Sequence, residues 1–397
     1  HDGRSPPAAP LNRRTHEIDD LLQSLPVGLF TADRDGRVTS ANAAFGALVQ
    51  GTVTSTVGLP PWANAHPGDR ANAELTWRRC VEEGRDVRIE FRVWHGEGRM
   101  TWVRIDASAA ANADGSPAGY AGTALDHTDT VATQVLLDRI AAVDAPGSAI
   151  GLRSVLAVDA AAVAVAHERD SERAQGKIRG PLHGIPVMIK DNIEAVGLPG
   201  TAGASSLADR TVTADSPIAQ RLRDAGAVIV AATNLSEWAN FRGFAPMNGW
   251  TARGGFTRNP YQLAIDPSGS SSGSACAAAS SLAAVTVGTE TDGSILQPSG
   301  DQSVVGLKPT VGLVASQGII PISSAQDTAG PMARTVRDAA LLLDALRVPG
   351  RTVMGHRVPE SYAADLDDIE PRRLRLAWDL SCAEGILSPG DPDQAVI

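Results

Sequence analysis

A glycine- and serine-rich tract, Gly-Ser-Ser-Ser-Gly-Ser at residues 269–274, constrains the fold of this 397-residue chain more than any other segment. Tracts of this composition are usually flexible linkers. Here, however, residues 275–284 follow directly and are almost all small and apolar, which predicts a buried helix. A second serine-bearing turn lies at residues 288–295. The pattern therefore predicts two serine turns that are joined by a buried helix and strand.

From about residue 133 onward, strand patterns alternate with helix patterns. The apolar run 185–189 predicts a buried strand that ends at Lys190, and residues 216–225 have the apolar spacing of a helix. Two further strands are predicted, at residues 227–231 and at residues 284–288. Strands and helices that alternate in this way form βαβ units around a mostly parallel sheet. Ligands on such sheets bind at the carboxyl ends of the strands, which is where Lys190 and Ser294 are expected.

The first part of the chain, residues 15–128, has the pattern of a small α+β domain. An Asp-Gly turn at residues 35–36 separates two strand patterns, residues 27–32 and 37–40, and so predicts a hairpin. Three more strands are predicted at residues 87–94, 101–107 and 118–124.

This N-terminal part resembles a PAS sensory domain. The resemblance depends on short motifs at residues 35–38, 42–45, 66–70, 119–122 and 126–129. It implies a sensory or dimerising role, and a homodimer through this domain is the expected assembly. A lone histidine seldom marks a metal site, so His66 and His95 favour surface or capping roles. Cys80 lacks the surrounding pattern of a flavin-photoadduct domain, and no cofactor is predicted.

Composition argues against several classes of function. The chain has 35 Lys and Arg against 45 Asp and Glu, and its net charge of -10 disfavours a nucleic-acid surface or an anionic membrane patch. No uncharged apolar run approaches the roughly 18 residues that span a bilayer. Three widely separated cysteines predict neither a disulfide framework nor a metal site, and they favour a reducing, cytoplasmic location. The Pro- and Ala-rich residues 1–14 are expected to be a flexible segment.

The second part, residues 133–397, resembles the amidase signature family. The motifs that carry the resemblance occur in the family's order at residues 180–187, 190–192, 269–274, 288–295 and 306–310. Residues 234–240, 318–323 and 326–332 are most similar to the peptide amidase branch, which removes the amide nitrogen from C-terminally amidated peptides. The resemblance implies an α/β fold whose central sheet is mixed, mostly parallel and flanked by helices. It also implies a hydrolase that acts on a small-molecule or peptide amide.

The resemblance further implies a catalytic triad of two serines and a lysine. In it Ser294 is the nucleophile, Ser270 is a bridging serine in a cis peptide, and Lys190 is the base. The two serines lie 24 positions apart, as they do in the family. A serine hydroxyl needs a base within hydrogen-bond reach, and a lysine can serve when burial lowers its pKa toward neutrality.

The turn that carries Ser294 is also expected to bind the oxyanion of the tetrahedral intermediate. The backbone N–H groups of Thr291, Asp292, Gly293 and Ser294 can converge on one point. Losing one such donor costs on the order of 3 kcal/mol of transition-state stabilisation. Residues 241–250 are expected either to line the acyl pocket or to cover it.

Three alternatives remain open from the sequence. The first is an α/β-hydrolase nucleophile elbow, G-x-S-x-G, with Ser271 as nucleophile and His356 as base. Pro267 argues against the strand that this motif needs just before the serine. The second is the glutaminase subunit of a tRNA-dependent amidotransferase, which would share the triad. The third is a non-catalytic signalling protein, because residues 297–303 replace the family's usual small residues and Asn-Gly pair, and because the family's catalytic domain normally continues beyond this chain's last residue.

Overall fold

The computed structural model of the protein describes residues 20–96, 98–111, 117–241, 247–364 and 366. The predicted flexible segment at residues 1–14 lies outside the described residues, and so does Cys382. Two β-sheets organise the described chain, one in each of the two parts that the sequence distinguishes.

The N-terminal part is a five-stranded antiparallel sheet covered by helices. Its strands are Gly28–Ala32 (β1), Val38–Ala41 (β2), Val87–Trp94 (β3), Met100–Ala111 (β4) and Pro117–Asp126 (β5). The strand order is β2-β1-β5-β4-β3, and all five predicted strands are present. Residues 20–24 are helical, and three more helices contact the sheet: Ala43–Leu48 (α1), Val53–Thr56 (α2) and Pro67–Glu82 (α3).

Aromatic and aliphatic side chains together form the core of this part. Trp77 is fully buried, and its ring centroid lies 5.5 Å from that of Trp62 and 5.3 Å from that of Tyr120. Strand β3 alternates between buried and more exposed positions, which is the pattern of a strand with one face on a core. The hairpin between β1 and β2 turns at Gly36, whose φ of 80° suits glycine.

A continuous helical segment connects the two parts of the chain. Helix Thr128–Arg139 (α4) leads directly into the π-helical turn Ile140–Asp144. The carboxylate of Asp170, from the second part, accepts the N–H groups of Asp129 and Thr130, both at 2.9 Å. The first turn of α4 is therefore held by the part of the chain that follows it.

The second part is built on a six-stranded mixed sheet. Its strands are Val155–Val158 (β6), Pro186–Lys190 (β7), Val228–Thr233 (β8), Val285–Glu290 (β11), Val305–Gly306 (β12) and Thr328–Ala333 (β13). Their order is β12-β13-β11-β7-β8-β6, with parallel pairing among β11, β7 and β8. The three outer pairs are antiparallel, so the parallel pairing that the alternating pattern predicts is limited to the centre of the sheet.

Helices flank this sheet, and short hairpins extend its loops. The α-helices are Ala162–Ala174 (α5), Pro217–Asp224 (α6), Ser272–Ala279 (α7), Leu296–Asp301 (α8) and Val336–Leu346 (α9). Two 3-10 helices are Ser205–Leu207 and Glu237–Asn240. The hairpins are Trp250–Thr251 (β9) with Gly255–Phe256 (β10), and Thr352–Val353 (β14) with His356–Arg357 (β15).

Strand β7 lies at the centre of the sheet and determines where its last residue points. Its five residues are all buried. Val187 and Ile189 pack in the core that contains α6 and α9, whereas Met188 packs in the core that contains Cys276 of α7. Successive side chains of a strand point to opposite faces, so Lys190 lies on the Met188 face, beneath the serine tract that leads into α7.

Candidate active site

Lys190 makes direct contact with the serine tract. Its side chain is fully buried at the carboxyl end of β7. The Nζ atom donates hydrogen bonds to Ser270 Oγ at 2.8 Å, to Ser271 Oγ at 2.9 Å and to the carbonyl oxygen of Thr289 at 3.3 Å. Strands β7 and β11 are parallel, so Lys190 and Thr289 lie at the same edge of the sheet.

Burial controls the protonation state of this lysine. Removal from water lowers the pKa of Lys190 from 10.5 to about 7, and the negative charges of Glu290 and Asp327 oppose the change. A lysine with a pKa of about 7 is partly neutral at neutral pH. Its neutral amine can accept a proton from a neighbouring hydroxyl.

The two serine turns of the sequence meet in space. The peptide bond between Gly269 and Ser270 is cis, as the resemblance implies. Ser270 is fully buried, and its carbonyl oxygen accepts the N–H of Ser236 at 3.0 Å. The N–H of Ser271 donates to the carbonyl oxygen of Ser294 at 3.0 Å. This backbone hydrogen bond holds the turn that carries Ser294 against the tract that carries Ser270.

Ser294 is the more accessible of these serines, with 8% of its surface exposed against 0% for Ser270. Within the part of the chain that the structure describes, no hydrogen bond joins the Ser294 hydroxyl to Ser270 or Lys190. The lysine and the bridging serine are therefore in direct contact, while the predicted nucleophile is linked to them through the backbone.

Ser271 also belongs to the site, although the sequence suggested a role for it only as the nucleophile of the elbow alternative. Its hydroxyl donates to the carbonyl oxygen of Thr289 at 3.0 Å, and it accepts from Lys190 Nζ and from the Thr289 N–H. This close approach requires Gly288 in β11, because a Cβ atom there would lie 2.9 Å from Ser271 Oγ. Ser271 thus ties the lysine to the neighbouring strand.

Glu290 was also missed, and it organises the turn before Ser294. One carboxylate oxygen accepts the N–H of Gly293 at 3.0 Å. The other accepts the N–H groups of Ile295 at 2.7 Å and Leu296 at 3.0 Å. Its position at the end of a buried strand, directly before a glycine turn, was the available signal.

These hydrogen bonds change the expected oxyanion site. Gly293 was one of the four predicted donors, but its N–H is already engaged by Glu290. The N–H groups of Thr291, Asp292 and Ser294 make no hydrogen bond within the described residues. Three of the four predicted donors therefore remain available in this turn.

Two side chains from later in the sequence, Lys308 and Asp327, also stabilise the turn that carries Ser294. Lys308 Nζ donates to the carbonyl oxygen of Thr291 at 2.7 Å and lies 3.7 Å from a carboxylate oxygen of Glu290. The Thr291 hydroxyl donates to Asp327 at 2.5 Å. The motifs at residues 306–310 and 326–332 thus supply supports for the turn that carries Ser294.

A small pocket opens beside these groups. It is lined by Asn192, Ala239, Thr289, Glu290, Thr291, Ile319, Ile320, Ile322 and Asp327. Asn192 donates through Nδ2 to Thr289 Oγ1 at 3.0 Å, while its buried Oδ1 has no partner among the described residues. The pocket therefore combines an apolar wall with polar site residues. Of the segment expected to line or cover the acyl pocket, residues 242–246 lie outside the described residues.

A buried glutamine supports the serine tract. Gln302 is fully buried, and its Nε2 donates to the carbonyl oxygens of Pro267 at 2.8 Å and Ser272 at 3.2 Å. These two carbonyls lie on either side of Ser270 in the sequence. Gln302 belongs to the segment 297–303, whose residues differ from those usual in the family. One of these differing residues therefore hydrogen-bonds directly to the serine tract.

The nucleophile-elbow alternative is wrong. No strand of the described chain leads into Ser271, whose hydroxyl is buried against Lys190. His356 lies in the exposed hairpin strand β15. The elbow motif needs a strand, a serine turn and a histidine that meets the serine, and the described residues of this chain have none of these in that arrangement.

Other predicted residues have structural roles. His66 caps α3, since its Nδ1 accepts the N–H of Gly68 at 3.2 Å, which confirms the capping role. Cys276 is fully buried, and burial raises the pKa of its thiol, which is the environment of a structural cysteine. Among the described residues, no cluster of three or more His, Cys, Asp or Glu side chains could hold a metal ion. None of the helices in that part of the chain has the length and hydrophobicity needed to cross a bilayer.

Comparison with known families matches both parts of the chain. Residues 132–378 match the family described as Amidase, and residues 22–132 match the one described as PAS fold. The solved structure of the native peptide amidase from Stenotrophomonas maltophilia is similar, with a TM-score of 0.55 and 53% sequence identity. That similarity covers 56% of this chain and 48% of the other chain.

Curated relatives include amidases and components of amidotransferases. A putative amidase of Arthroderma benhamiae is 45% identical over 217 residues, which are 54% of this chain and 36% of the relative. A glutamyl-tRNA(Gln) amidotransferase subunit from Carboxydothermus hydrogenoformans is 40% identical over 205 residues, which are 51% of this chain and 39% of the relative. The chain thus spans less than half the length of these relatives.

Proposed function

The chain belongs to the amidase family, and from this membership we propose that it hydrolyses a linear carboxamide to a carboxylate and ammonia. The observation that carries the proposal is the 2.8 Å contact between the buried Lys190 and Ser270. A buried lysine with a pKa of about 7 suits the role of general base, and few structural roles require one.

The proposed reaction begins at the more accessible serine. The hydroxyl of Ser294 attacks the carbonyl carbon of the amide, while its proton passes to Ser270 and the proton of Ser270 passes to neutral Lys190. The developing oxyanion accepts hydrogen bonds from the available N–H groups at Thr291 and Asp292, and from that of Ser294 itself. In this scheme a small closure of the turn brings the Ser294 hydroxyl onto Ser270.

The relay then runs in reverse. As the carbon–nitrogen bond breaks, Ser270 delivers a proton to the leaving nitrogen and regains one from Lys190, so that ammonia departs. The acyl group remains on Ser294 as an ester. Water attacks this ester with the help of the same relay, which releases the carboxylate and restores the serine hydroxyl.

The proposed substrate class is the C-terminal amide of a peptide. Support comes from the 53% identity to a peptide amidase. The relatives that belong to amidotransferases make glutamine the second candidate substrate. A homodimer through the N-terminal PAS-like domain and a cytoplasmic location stay predictions.

Ammonia release from a peptide amide, from benzamide and from glutamine tests this function. The wild-type chain is expected to hydrolyse the peptide amide, and Ser294→Ala and Lys190→Ala are each expected to lower the rate about a thousandfold or more. Ser206→Ala removes an exposed serine and serves as the matched control. Ammonia release that survives Ser294→Ala would contradict the mechanism. Hydrolysis of glutamine alone would favour the amidotransferase function, and hydrolysis of no amide would favour the signalling alternative.

A further inference from the structure

A cavity of about 240 Å³ lies between the N-terminal sheet and helix α5 of the second part. None of the proposed triad residues lines it. Side chains of α1 and β5, among them Ala47, Leu48 and Leu125, form an apolar wall on one side. Arg173 and Ala174, at the end of α5, complete it from the other side. The cavity therefore depends on both parts of the chain.

Three polar side chains line this cavity with unused hydrogen-bonding capacity. His95 Nε2 and Arg173 Nε are both buried and have no hydrogen-bond partner within the described ranges. Asp126 Oδ1 accepts two hydrogen bonds from Thr128, whereas Asp126 Oδ2 lies 3.8 Å from Arg173 Nε, beyond hydrogen-bond distance. Buried polar atoms without partners are costly, so a ligand that completes their hydrogen bonds would be favoured here.

The charges around the cavity favour a neutral ligand. The guanidinium of Arg173 is already paired with the carboxylate of Asp129 at 2.6 Å, and Asp126 lies on its other side. A negatively charged ligand would be repelled by these two carboxylates, and a positively charged ligand would be repelled by the guanidinium of Arg173. Burial lowers the pKa of His95, which keeps its imidazole neutral at neutral pH.

The hydrogen-bonding groups narrow the ligand further. Arg173 Nε–H requires an acceptor, Asp126 Oδ2 requires a donor, and a neutral imidazole can supply either role at Nε2. A primary carboxamide carries one carbonyl acceptor and two N–H donors on a single planar group. A ketone lacks the donors, and a carboxylate lacks them and adds a charge.

We propose that this cavity is a second, non-catalytic binding site for a small apolar carboxamide. The carbonyl oxygen of the ligand accepts from Arg173, and its N–H groups donate to Asp126 and His95. The apolar body of the ligand packs on Ala47, Leu48 and Leu125. Because binding here involves no bond breaking, the site is independent of the hydrolysis proposed above.

The test uses the full chain with Ser294→Ala, so that the probe, benzamide, is not hydrolysed. Binding is followed by the imidazole proton signal of His95 in NMR spectra, which is assigned by its loss in His95→Phe. Benzamide is expected to shift this signal saturably. Acetophenone and benzoate are expected to bind about tenfold more weakly or worse, because each leaves buried polar groups unpaired.

Two substitutions fill the cavity from opposite walls. Ala47→Trp, on the N-terminal wall, and Ala174→Leu, on α5, are each expected to abolish the benzamide-dependent shift. Val135→Trp, at an exposed position of α4, is the matched control and should leave the shift unchanged. If circular dichroism shows that Ala47→Trp does not fold, the benzamide-dependent shift in Ala174→Leu is the test of the proposal. An absent shift in the parent chain, an unchanged shift in a filled and folded variant, or equal binding of benzoate would each overturn the proposal.

Discussion

Replacing Lys190 with methionine should abolish activity and yet stabilise the protein at neutral and acidic pH. The folded-state pKa of Lys190 is about 7, well below its ordinary value of 10.5. Between these two pH values the unfolded chain holds a proton at this position that the folded chain has lost. Stability therefore rises with pH across this window, and below about pH 7 the folded protein contains a charged, fully buried lysine.

The size of the stability change follows from the difference between the unfolded-state and folded-state pKa values of Lys190. Each pH unit between 10.5 and about 7 corresponds to about 1.4 kcal/mol, so the whole window is worth about 5 kcal/mol. Methionine fills a similar volume and does not titrate. Between pH 6 and pH 10, the stability of Lys190→Met relative to the wild type is thus expected to fall by about 4 kcal/mol.

Urea unfolding of both chains at pH 6, 8 and 10 measures this difference. Other titrating groups are common to both proteins and cancel in the comparison. Lys177→Met, at an exposed position, is the control and should parallel the wild type at every pH. If the stability difference between Lys190→Met and the wild type were the same at pH 6 and pH 10, the depressed lysine pKa would be refuted.

Three further predictions concern the same site. Below about pH 7, kcat/KM for a peptide amide should fall about tenfold per pH unit because only neutral Lys190 accepts a proton; a flat profile between pH 5 and 8 would contradict this. Glu290→Gln removes a negative charge that raises the pKa of Lys190, so the pH below which kcat/KM falls should become lower. If that pH did not change, the electrostatic interaction between Glu290 and Lys190 would be refuted. Gln302→Leu removes the two hydrogen bonds that hold the serine tract and should lower kcat about tenfold or more with little change in KM; an unchanged kcat in a folded variant would show that the tract holds its shape without them.

The central strands could be predicted because local patterns encode them, whereas the contact between lysine and serine was implied by the family resemblance. The apolar run that ends at Lys190 is a fully buried strand, and the small apolar residues after the serine tract form a buried helix. That helix ends at Ala279, earlier than predicted, because Ser280 and Ser281 turn the chain, the latter with a φ of 58°. Strand β13, which pairs with both β11 and β12, was not predicted, since Gly330 and Pro331 disfavour a strand assignment.

The supports of the site were harder to predict because they join distant positions. Gln302 reaches carbonyl groups 30 and 35 residues away, and Ser271 reaches Thr289 18 residues away. No local periodicity encodes such contacts. Family resemblance identified the residues of the proposed chemistry, but it did not indicate that Glu290 occupies the N–H of Gly293.

The most direct test of the account is the position of the covalent intermediate. The chain would be mixed with a p-nitrophenyl ester, quenched within its first turnovers and mapped by peptide mass spectrometry. The account predicts one acyl group per chain on Ser294, and no acyl group in Ser294→Ala. Acylation of Ser271 or Ser270 in place of Ser294, or turnover without any acyl-enzyme, would contradict it.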